Sequence, residues 1–581
     1  MTVYAGRDGS VLRAAVTTPW YPHPHNRMNG SFVADHARLV RRLFSNVSVV
    51  HASEWPGGTQ ERCDSIRADV DRVLGLSTER GALPISSAVG PLFRVPVMIV
   101  GGASVPQRAE AAVRDTAIAL GPRGLDADLV HGHVGYLGGL IASRLASSDA
   151  RVFVTEHSTG LRAVLDDPQG LAQYAEVLDR CDELFCVSEV LRGQVLRAFP
   201  DFSAKVSVLP NPVDIDGVPR RDSAPSTLRR WLYVGGLIDR KGVTRLLEVF
   251  AAVAATDPSI ELTMIGEGPL RQQLEETVKS RGLSGRVHLP GVLRHGELLA
   301  ELPSYDVLVH LSDYETFGLS VLEAVAAGIP VVVTACGGPE ETLEGLVPLV
   351  GRMVAVGAET DEVAHAIVEL GNSLDDLDLN RAREVLASRY SPDAVCARLA
   401  TAYCLGESER VAPPSEVAVD GAREPTQVTV LAVSAWRRYA VLEELAVLER
   451  THTPALLVST DSALCEQSAI PYAAPKELAE PGAPVAAAID DASFARRMIR
   501  DLRRRKLAAA RTADRTPSGQ TTTWVPVDAT ILMTDLHSAS LALRILDASP
   551  ARRLSFELDR GGAFGPTSDA EELGESGEAT A

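Results

Sequence analysis

The sequence predicts an α/β protein built from parallel β-sheets wrapped by helices, and three observations support that prediction. Short runs rich in valine and leucine alternate with longer segments of helical period, as in successive strand and helix units. The alternation stops near residue 215 of the 581-residue chain and then restarts, which indicates two separate units. Apolar residues make up 45% and charged residues 23% of the chain, which excludes wholesale disorder and a membrane bundle.

The first unit, predicted over residues 1–215, contains seven strand candidates. They are Val11–Thr17, Val47–His51, Val97–Val100, Leu129–His133, Val152–Thr155, Leu184–Val187 and Val206–Leu209. Segments of helical period separate them, so we expect a parallel sheet covered by helices.

The second unit, predicted over residues 216–404, repeats this alternation after Asn211-Pro-Val-Asp214 and a polar stretch. Its strand candidates are Trp231–Val234, Ile260–Ile265, Val287–Leu289, Val307–Leu311, Pro330–Val333 and Pro348–Val350. Ala382–Ser388 and Ala394–Tyr403 have helical period and are expected to close the unit.

The remaining residues predict a linker, a small module and a tail. Residues 405–426 mix proline, glycine and acids without periodicity, which is typical of an exposed linker. Residues 427–558 predict an appended Rossmann-like α/β module of unknown role, with strands Gln427–Val433, Ala455–Val458 and Ala529–Met533 and helices Arg437–Glu449 and Ser538–Leu546. Residues 559–581 predict a disordered acidic tail.

Charge, cysteine content and hydropathy set the expected environment of the chain. The formal net charge of −19 disfavours bulk attraction to nucleic acid or anionic lipid, so no nucleic-acid partner is expected. Seven scattered cysteines without a C-x-x-C pair predict reduced thiols. The sequence offers no signal-peptide core at the N-terminus and no apolar run of spanning length, so we expect a cytoplasmic protein. The basic segment Arg496–Lys506 is interpreted as a solvated helix face or as a weak peripheral contact with acidic lipid.

The loop Gly235-Gly-Leu-Ile-Asp-Arg-Lys241-Gly242 has the residue types that a phosphate group needs. It follows a strand candidate and precedes a helical segment, so its glycines permit close backbone approach beside a helix N-terminus. Lys241 adds a positive charge there, and the chain has only five lysines against fifty-two arginines. The alternative is an ordinary turn with a solvated lysine. The turn Gly266-Glu-Gly-Pro269, at the end of the next strand candidate, is a weaker signal of the same kind.

Two glutamates flank another helix N-terminus. Glu315 lies on the loop after Val307–Leu311, and Glu323 lies inside the helix that begins near Phe317 to Leu319. A nucleotide-diphosphate sugar needs amides for its pyrophosphate and carboxylates for its ribose and sugar hydroxyls, and this arrangement supplies both. The alternative is a helix-capping acid together with a satisfied core acid.

These motifs, with others in a fixed order along the chain, resemble glycosyltransferase family 4, the retaining enzymes of the GT-B fold. The resemblance covers roughly residues 11–404. It rests on Glu315-x7-Glu323 with Phe317-Gly318, Glu323-Ala-x-Ala-x-Gly-x-Pro330, Gly337-Gly-Pro-Glu340, Pro19–Pro22, Asn29–Phe32, Thr155–Thr159, Asn211–Asp214 and Gly235–Gly242.

The resemblance implies two Rossmann-like domains facing a cleft and transfer of a hexosyl-type sugar from a nucleotide-diphosphate sugar. It implies a small-molecule, lipid-linked or glycan acceptor, and neither a metal nor a further cofactor. The implied catalytic residues are His157, near the donor sugar, and Glu315, which holds sugar hydroxyls and is not a nucleophile. The implied donor-binding residues are Gly30, Gly235, Arg240, Lys241, Gly266, Glu267, Phe317, Gly318, Leu319 and Glu323, with Lys241 on the diphosphate and Glu323 on the ribose.

Two positions depart from the family pattern, and several interpretations stay open. Gly236 stands where many members have arginine, and Asn29-Gly30 has one glycine where many have two. Glu340 either reaches the donor or caps a helix, and His131 with His133 is acceptor-side or structural. The competing functions are a GT-B sugar-nucleotide epimerase, which needs paired acid and base groups but no acceptor, and a non-catalytic GT-B accessory or binding subunit.

Overall fold

In the computed structural model, the described residues are 3–4, 12–22, 29–64, 67–68, 85–121, 124–221, 223–293 and 295–403, together with six short strands from residue 410 onward. None of the helices in these ranges combines the length and apolar character needed to cross a bilayer. The chain forms two compact units. One contains Met1–Asn29, Val40–Phe153 and Glu409–Ala563, and the other contains Gly30–Leu39, Val154–Ser408 and Phe564–Ala581.

The first unit is built on a parallel sheet. Its elements are β1 (Val3–Tyr4), β2 (Arg13–Thr18), β3 (Asn46–Gly58), β4 (Ile85–Ser86), β5 (Pro91–Val100), β6 (Leu129–His133) and the helices α2 (Val105–Leu120) and α3 (Leu140–Leu145). Helix α1 (Ser31–Leu43) and strand β7 (Arg151–Glu156) each run from one unit into the other. The strands β4-β5-β3-β2-β6 are neighbours in that order, and only β4 is antiparallel.

The second unit holds most of the predicted site residues. Its strands are β8 (Glu183–Cys186), β9 (Val206–Val208), β10 (Arg230–Val234), β11 (Glu261–Ile265), β12 (Val287–Gly291), β13 (Val307–His310), β14 (Val331–Thr334) and β15 (Gly351–Val354). Its helices are α4 (Leu161–Asp166), α5 (Pro168–Arg180), α6 (Glu189–Ala198), α7 (Val243–Thr256), α8 (Arg271–Ser280), α9 (His295–Glu301), α10 (Leu319–Ala326), α11 (Gly338–Thr342), α12 (Val347–Val350), α13 (Thr360–Asn372), α14 (Leu379–Tyr390) and α15 (Pro392–Ala402).

The six-stranded sheet of this unit has the order β12-β11-β10-β13-β14-β15, and all its pairs are parallel. In chain order this is 3-2-1-4-5-6, the arrangement of dinucleotide-binding sheets. Every residue of β13 and β14 is buried, as expected for strands that helices cover on both faces. Trp231 of β10 packs edge to face on Phe250 of α7, with ring centroids 5.4 Å apart, so the first helix of the unit is anchored to its central strand.

The C-terminal module contributes a third parallel sheet. Its strands are β17 (Val428–Ala432), β18 (Ala455–Ser459), β19 (Tyr472–Ala473), β20 (Thr530–Met533) and β21 (Arg553–Phe556), in the order β19-β18-β17-β20-β21. The three predicted strands are confirmed. The helices predicted at Arg437–Glu449 and Ser538–Leu546, the segment Arg496–Lys506 and the tail 559–581 lie outside the described residues. Within the predicted linker, β16 (Arg410–Val411) pairs antiparallel with β1.

One predicted strand is wrong. Pro348–Val350 lies in the short helix α12, and the strand follows at Gly351–Val354. A run of three apolar residues has no period that separates a strand from a helical turn, and Pro348 fits the first turn of a helix because it has no N–H to donate. Gly351 opens the strand because a Cβ atom there would lie 1.9 Å from the carbonyl oxygen of Val331. The domain boundaries at residues 215, 404, 426 and 558 stay predictions.

Candidate functional site

The strand order of the second unit identifies where a ligand would bind. The order reverses between β10 and β13, which pair directly through Trp231 and Val307. Connections leave such neighbouring strands toward opposite faces of the sheet, so a crevice opens beyond their carboxyl ends. The loop 235–242 follows β10 and the loop 311–318 follows β13. The two sequence motifs with the strongest phosphate and carboxylate chemistry therefore share this switch point.

The loop 235–242 turns into α7 through Gly242. This residue has φ 65°, and a Cβ atom there would lie 2.1 Å from the carbonyl oxygen of Leu311. Both the left-handed conformation and the close approach require glycine. A 3-10 turn, Asp239–Lys241, precedes it and brings Lys241 to the N-terminus of the helix.

The turn 266–269 supports this loop from the neighbouring strand. Gly235 donates its N–H to the carbonyl of Ile265 at 3.1 Å, and a Cβ atom on Gly266 would lie 1.9 Å from the carbonyl oxygen of Gly235. Leu237 donates its N–H to the carbonyl of Glu267 at 2.8 Å, while the Glu267 carboxylate pairs with Arg271. The predicted tight turn is thus present, and it packs backbone to backbone on the loop 235–242.

Lys241 and Glu315 meet at the switch point. Lys241 Nζ lies 2.5 Å from Glu315 Oε2, and His310 Nε2, at the end of β13, lies 3.5 Å from the same oxygen. Burial alone would raise the pKa of Glu315, but Lys241 and His310 hold it well below its usual range. Burial lowers the pKa of His310, so its imidazole is neutral near pH 7. The site therefore contains a carboxylate that stays charged beside one ammonium group.

Arg240 links the two loops. Its Nη1 donates to the carbonyl oxygen of Tyr314 at 2.6 Å, and its own carbonyl accepts the N–H of Asp313 at 2.8 Å. The sequence resemblance implied that this arginine lies at the donor diphosphate, where it would replace the charge absent at Gly236. In the structure the guanidinium ties the loop 235–242 to the residue before Glu315.

The helix N-terminus after Glu315 is built by glycines and a buried ring. Gly318, with φ 90°, stands directly before Leu319, the first residue of α10. Phe317 is buried, and its ring packs edge to face on Tyr390 with centroids 5.5 Å apart. A Cβ atom on Gly338 would lie 2.5 Å from the Phe317 nitrogen, so the segment 337–338 closes over this turn.

Glu323 has a histidine partner that sequence reasoning missed. Its Oε1 lies 2.8 Å from His295 Nε2, and its side chain is 12% exposed. The hydrogen bond to Glu323 raises the pKa of His295, and burial opposes that shift. Asp35 is close enough to affect His295, and burial first, then Glu323, raises the pKa of Asp35 itself. The second glutamate thus belongs to a titratable cluster near neutral pH.

His157 lies directly after strand β7, as predicted. Burial, then the neighbouring His36, lowers its pKa to about 3, so the ring is neutral, and it packs on Phe32 with centroids 4.6 Å apart. The N–H groups of His157 and Ser158 donate to one carboxylate oxygen of Glu156, at 2.9 and 2.7 Å, which fixes the turn. The other oxygen of Glu156 accepts the Tyr174 hydroxyl at 3.0 Å.

Two further sequence candidates have structural partners. Gly30 has φ 64°, and its carbonyl accepts the N–H groups of Val33 and Ala34 at the start of α1. The Glu340 carboxylate accepts the N–H of Gly337 at 3.0 Å and so caps α11.

The remaining histidine and aspartate motifs also have structural surroundings. His131 and His133 are buried in β6, with stacked rings 4.9 Å apart. Asp126 and Asp128 of the short Asp-Ala-Asp pattern both pair with Arg13. These contacts give each motif a role in the fold of the first unit.

Sequence reasoning found the glycines, Lys241 and the two glutamates, and it missed the residues that hold them. His310, His295, Tyr314 and Glu156 carry no motif of their own. The available signal was position alone: Glu156 and His310 are polar residues in apolar strands, where a buried polar group needs partners.

A parallel sheet of order 3-2-1-4-5-6 with a glycine and lysine loop at its switch point defines a nucleotide-binding type of α/β protein. Comparisons with known families identify the type further. Residues 219–375 match the model described as Glycosyl transferases group 1, and residues 88–216 match the model described as Glycosyltransferase Family 4. These matches confirm the family resemblance that the motifs predicted.

Individual relatives cover only part of the chain. Glycogen synthase of Mycobacterium tuberculosis (strain ATCC 25618 / H37Rv) is 29% identical over 228 residues, which is 38% of this chain and 54% of that protein. The 2-deoxystreptamine glucosyltransferase of Streptomyces kanamyceticus is 28% identical over 204 residues, 32% of this chain and 50% of that protein. The chain thus spans about half the length of the curated relatives it matches.

A solved structure supports the fold over a longer range. Sucrose-phosphate synthase from Thermosynechococcus elongatus superposes with a TM-score of 0.51 and 17% identity, covering 68% of this chain and 98% of that chain. With the two family matches, this likeness confirms the predicted GT-B fold.

Proposed function

We propose that this protein is a retaining glycosyltransferase that moves a hexosyl-type sugar from a nucleotide-diphosphate sugar to an acceptor, without a metal. The single observation that supports this most strongly is the Lys241–Glu315 pair at the switch point of the six-stranded sheet. It lies inside the segment that matches the Glycosyl transferases group 1 model.

Lys241 is the group proposed to hold the leaving diphosphate. In the structure its ammonium neutralises Glu315, and the two side chains are 14% and 13% exposed. An arriving diphosphate brings further negative charge to the N-terminus of α7, where Lys241 has three N–H donors to share. The lysine then stabilises the charge that develops as the sugar–phosphate bond breaks. Preorganised donors of this kind each lower a barrier by about 3 to 4 kcal/mol.

Glu315 is proposed to orient the donor sugar. Its lowered pKa keeps both oxygens as acceptors at any pH where the protein would be assayed. Such a carboxylate accepts sugar hydroxyls close to the anomeric carbon and stabilises positive charge there. No covalent step on the enzyme is required, because the departing phosphate oxygen takes the acceptor's proton on the same face.

Glu323 and His157 are proposed to complete the donor site. Glu323 accepts the ribose hydroxyls through the oxygen that His295 leaves available. His157, neutral because it is buried, contacts the donor sugar through its ring or through the carbonyl at the strand end. Gly235, Gly266, Glu267 and Arg240 contribute by shaping the loop that faces the diphosphate.

The relatives indicate the range of acceptors to test. Their names describe a glycogen synthase, a 2-deoxystreptamine glucosyltransferase and a phosphatidylinositol N-acetylglucosaminyltransferase, so a glycan, a small molecule and a lipid are all represented. We therefore propose an acceptor from one of these three classes.

Nucleotide release tests the proposal. The protein is incubated with UDP-, GDP- and ADP-sugars, with and without glycan, lipid-linked and small-molecule acceptors, and the released nucleotide is measured. A transferase releases nucleotide that depends on an acceptor, whereas an epimerase converts the donor without any acceptor. Donor binding with no turnover would support an accessory role. Lys241→Ala is expected to abolish release and Lys279→Ala, a change at an exposed lysine, to leave it unchanged.

A further inference from the structure

Helix α6 contacts both loops that build the Glu315 side of the proposed donor site. Gln194 Nε2 donates to the Tyr314 hydroxyl at 2.9 Å. At the start of the helix, the N–H of Glu189 donates to Glu341 Oε2 at 2.7 Å. The first contact reaches the loop after β13 and the second reaches the segment after β14, and all four residues lie in the second unit.

Tyr314 joins three parts of the site. Its hydroxyl accepts from Gln194, its carbonyl accepts from Arg240 at 2.6 Å, and its chain neighbour is Glu315. Its hydroxyl bond to α6 and its carbonyl bond to the loop 235–242 act at opposite ends of the same residue. A shift of the Tyr314 side chain must therefore move the backbone from which Glu315 projects.

The two loops are also bonded to each other at Glu315. Glu315 donates its N–H to the carbonyl of Cys336 at 3.0 Å, and its carbonyl accepts the N–H of Gly338 at 2.8 Å. A Cβ atom on Gly337 would lie 3.3 Å from the Val190 side chain of α6, so this segment also packs on the helix. The loops around Glu315 thus have two anchors on one helix, Gln194 and the N–H of Glu189.

We propose that α6 positions Glu315 for transfer, with Tyr314 and Glu341 as the positioning residues through which it acts. The inference rests on the proposed function for its kinetic consequence, and it names no new catalytic group. Misplacement of a reacting group by about 1 Å can cost on the order of 100-fold in rate, so two hydrogen bonds that hold a loop are enough to matter. Donor affinity depends mainly on Lys241 and the glycine loop, which these bonds do not hold.

A double-mutant cycle tests the Gln194–Tyr314 contact. Tyr314→Phe and Gln194→Leu each remove the same hydrogen bond, so we expect each to lower kcat about tenfold, about 1.4 kcal/mol of barrier, with the donor KM changed less than about twofold. The double variant is expected to be no slower than either single variant, because the bond can be lost only once. Additive losses, or a loss confined to KM, would contradict a positioning role.

Two matched controls separate positioning from general damage. Tyr305→Phe removes a tyrosine hydroxyl that bonds Glu301 elsewhere in the second unit, and it is expected to leave kcat unchanged. Glu341→Gln keeps an oxygen acceptor for the Glu189 N–H and is expected to retain kcat, whereas Glu341→Ala removes the acceptor and is expected to lower it. Equal losses in both Glu341 variants would overturn the second anchor.

Hydrogen exchange tests the inference independently of activity. In Gln194→Leu, the amides of Asp313, Glu315 and Gly338 are expected to exchange at least about fivefold faster than in the unmodified protein. The same amides are expected to be unchanged in Tyr305→Phe. Unchanged exchange in Gln194→Leu would overturn the inference whether or not the protein releases nucleotide. Faster exchange in a protein that releases none would overturn only the proposed function.

Discussion

Glu315 and Glu323 lie eight residues apart in one motif, and the structure gives them different partners. Glu315 contacts a lysine at 2.5 Å and a neutral buried histidine, whereas Glu323 contacts His295 at 2.8 Å. The pKa of Glu315 is lowered well below its usual range, while the hydrogen bond between Glu323 and His295 raises the pKa of the histidine. The first carboxylate is therefore permanently charged, and the second is coupled to a group that titrates near neutral pH.

The difference suggests a division of roles in the proposed donor site. A group that stabilises positive charge on a sugar must be anionic under all working conditions, and Glu315 meets that requirement. A group that accepts ribose hydroxyls needs orientation more than charge, and a histidine that fixes one carboxylate oxygen provides it. Variants at the partners, ordered below by expected effect, can sharpen or break this contrast.

The largest effect is expected at Lys241. Lys241→Ala leaves Glu315 buried without its cation, so we expect a loss of about 3 kcal/mol in unfolding free energy and at least about 100-fold in nucleotide release. Adding Glu315→Gln removes the uncompensated charge, so thermal stability should recover while release stays absent. Thermal denaturation and nucleotide release measure the two effects. Unchanged stability in the single variant would contradict the ion pair.

The next effect is expected at Glu323. Glu323→Ala removes the proposed ribose contact and is expected to raise the donor KM or abolish release, with the folded protein retained. Glu297→Ala, which removes a glutamate from the neighbouring helix α9, serves as the control. A donor titration with both variants checks this, and equal donor affinity in the two would remove Glu323 from the donor site.

A smaller effect is expected from closing space at the turn. Gly338→Ala adds a Cβ atom 2.5 Å from the Phe317 nitrogen, so the turn before α10 must shift. We expect a loss of about 1 to 3 kcal/mol in unfolding free energy together with lower kcat. In Gly285→Ala the new Cβ atom meets nothing within 4 Å, and stability should be nearly unchanged. The same loss in both variants would mean that glycine, not the contact, determines the effect.

The smallest effect is expected from His295. Because the pKa of His295 is raised in the folded state, its charged pair with Glu323 stabilises the protein fully below the ordinary histidine pKa. That stabilisation is lost as pH rises through the raised pKa. Relative to His295→Gln, the unmodified protein should therefore lose its advantage, about 1 to 3 °C in melting temperature, between about pH 6 and pH 9. A constant difference across this range would contradict the coupling.

Much of the fold could be predicted because buried parallel strands appear in the sequence as short apolar runs. The strands from Arg13–Thr18 to Val331–Thr334 were placed within a few residues, except that Pro91–Val100 begins earlier than predicted. The strand at Gly351–Val354 was missed because a three-residue apolar run next to a proline does not distinguish a strand from a helical turn. The order of the strands was not predicted, since it depends on contacts between distant segments.

The site was predictable only in its glycines and charged residues. Lys241, Glu315 and Glu323 stand in motifs whose spacing reflects local geometry. Their partners do not, because Gln194 and Tyr314 are 120 residues apart and His295 and Glu323 are 28 apart. Nothing in one sequence joins such pairs. Arg240 was predicted as a donor charge, and its bond to the Tyr314 carbonyl became visible only when the loops were placed side by side.

The most direct test of the donor site is a calorimetric titration of the full chain with UDP, GDP and ADP. We expect one nucleoside diphosphate to bind the unmodified protein and Lys279→Ala with the same affinity. We expect it to bind Lys241→Ala at least about 30-fold more weakly, about 2 kcal/mol, since a charged contact to phosphate would be lost. Equal binding to Lys241→Ala and to the unmodified protein would contradict the placement of the diphosphate at the switch point.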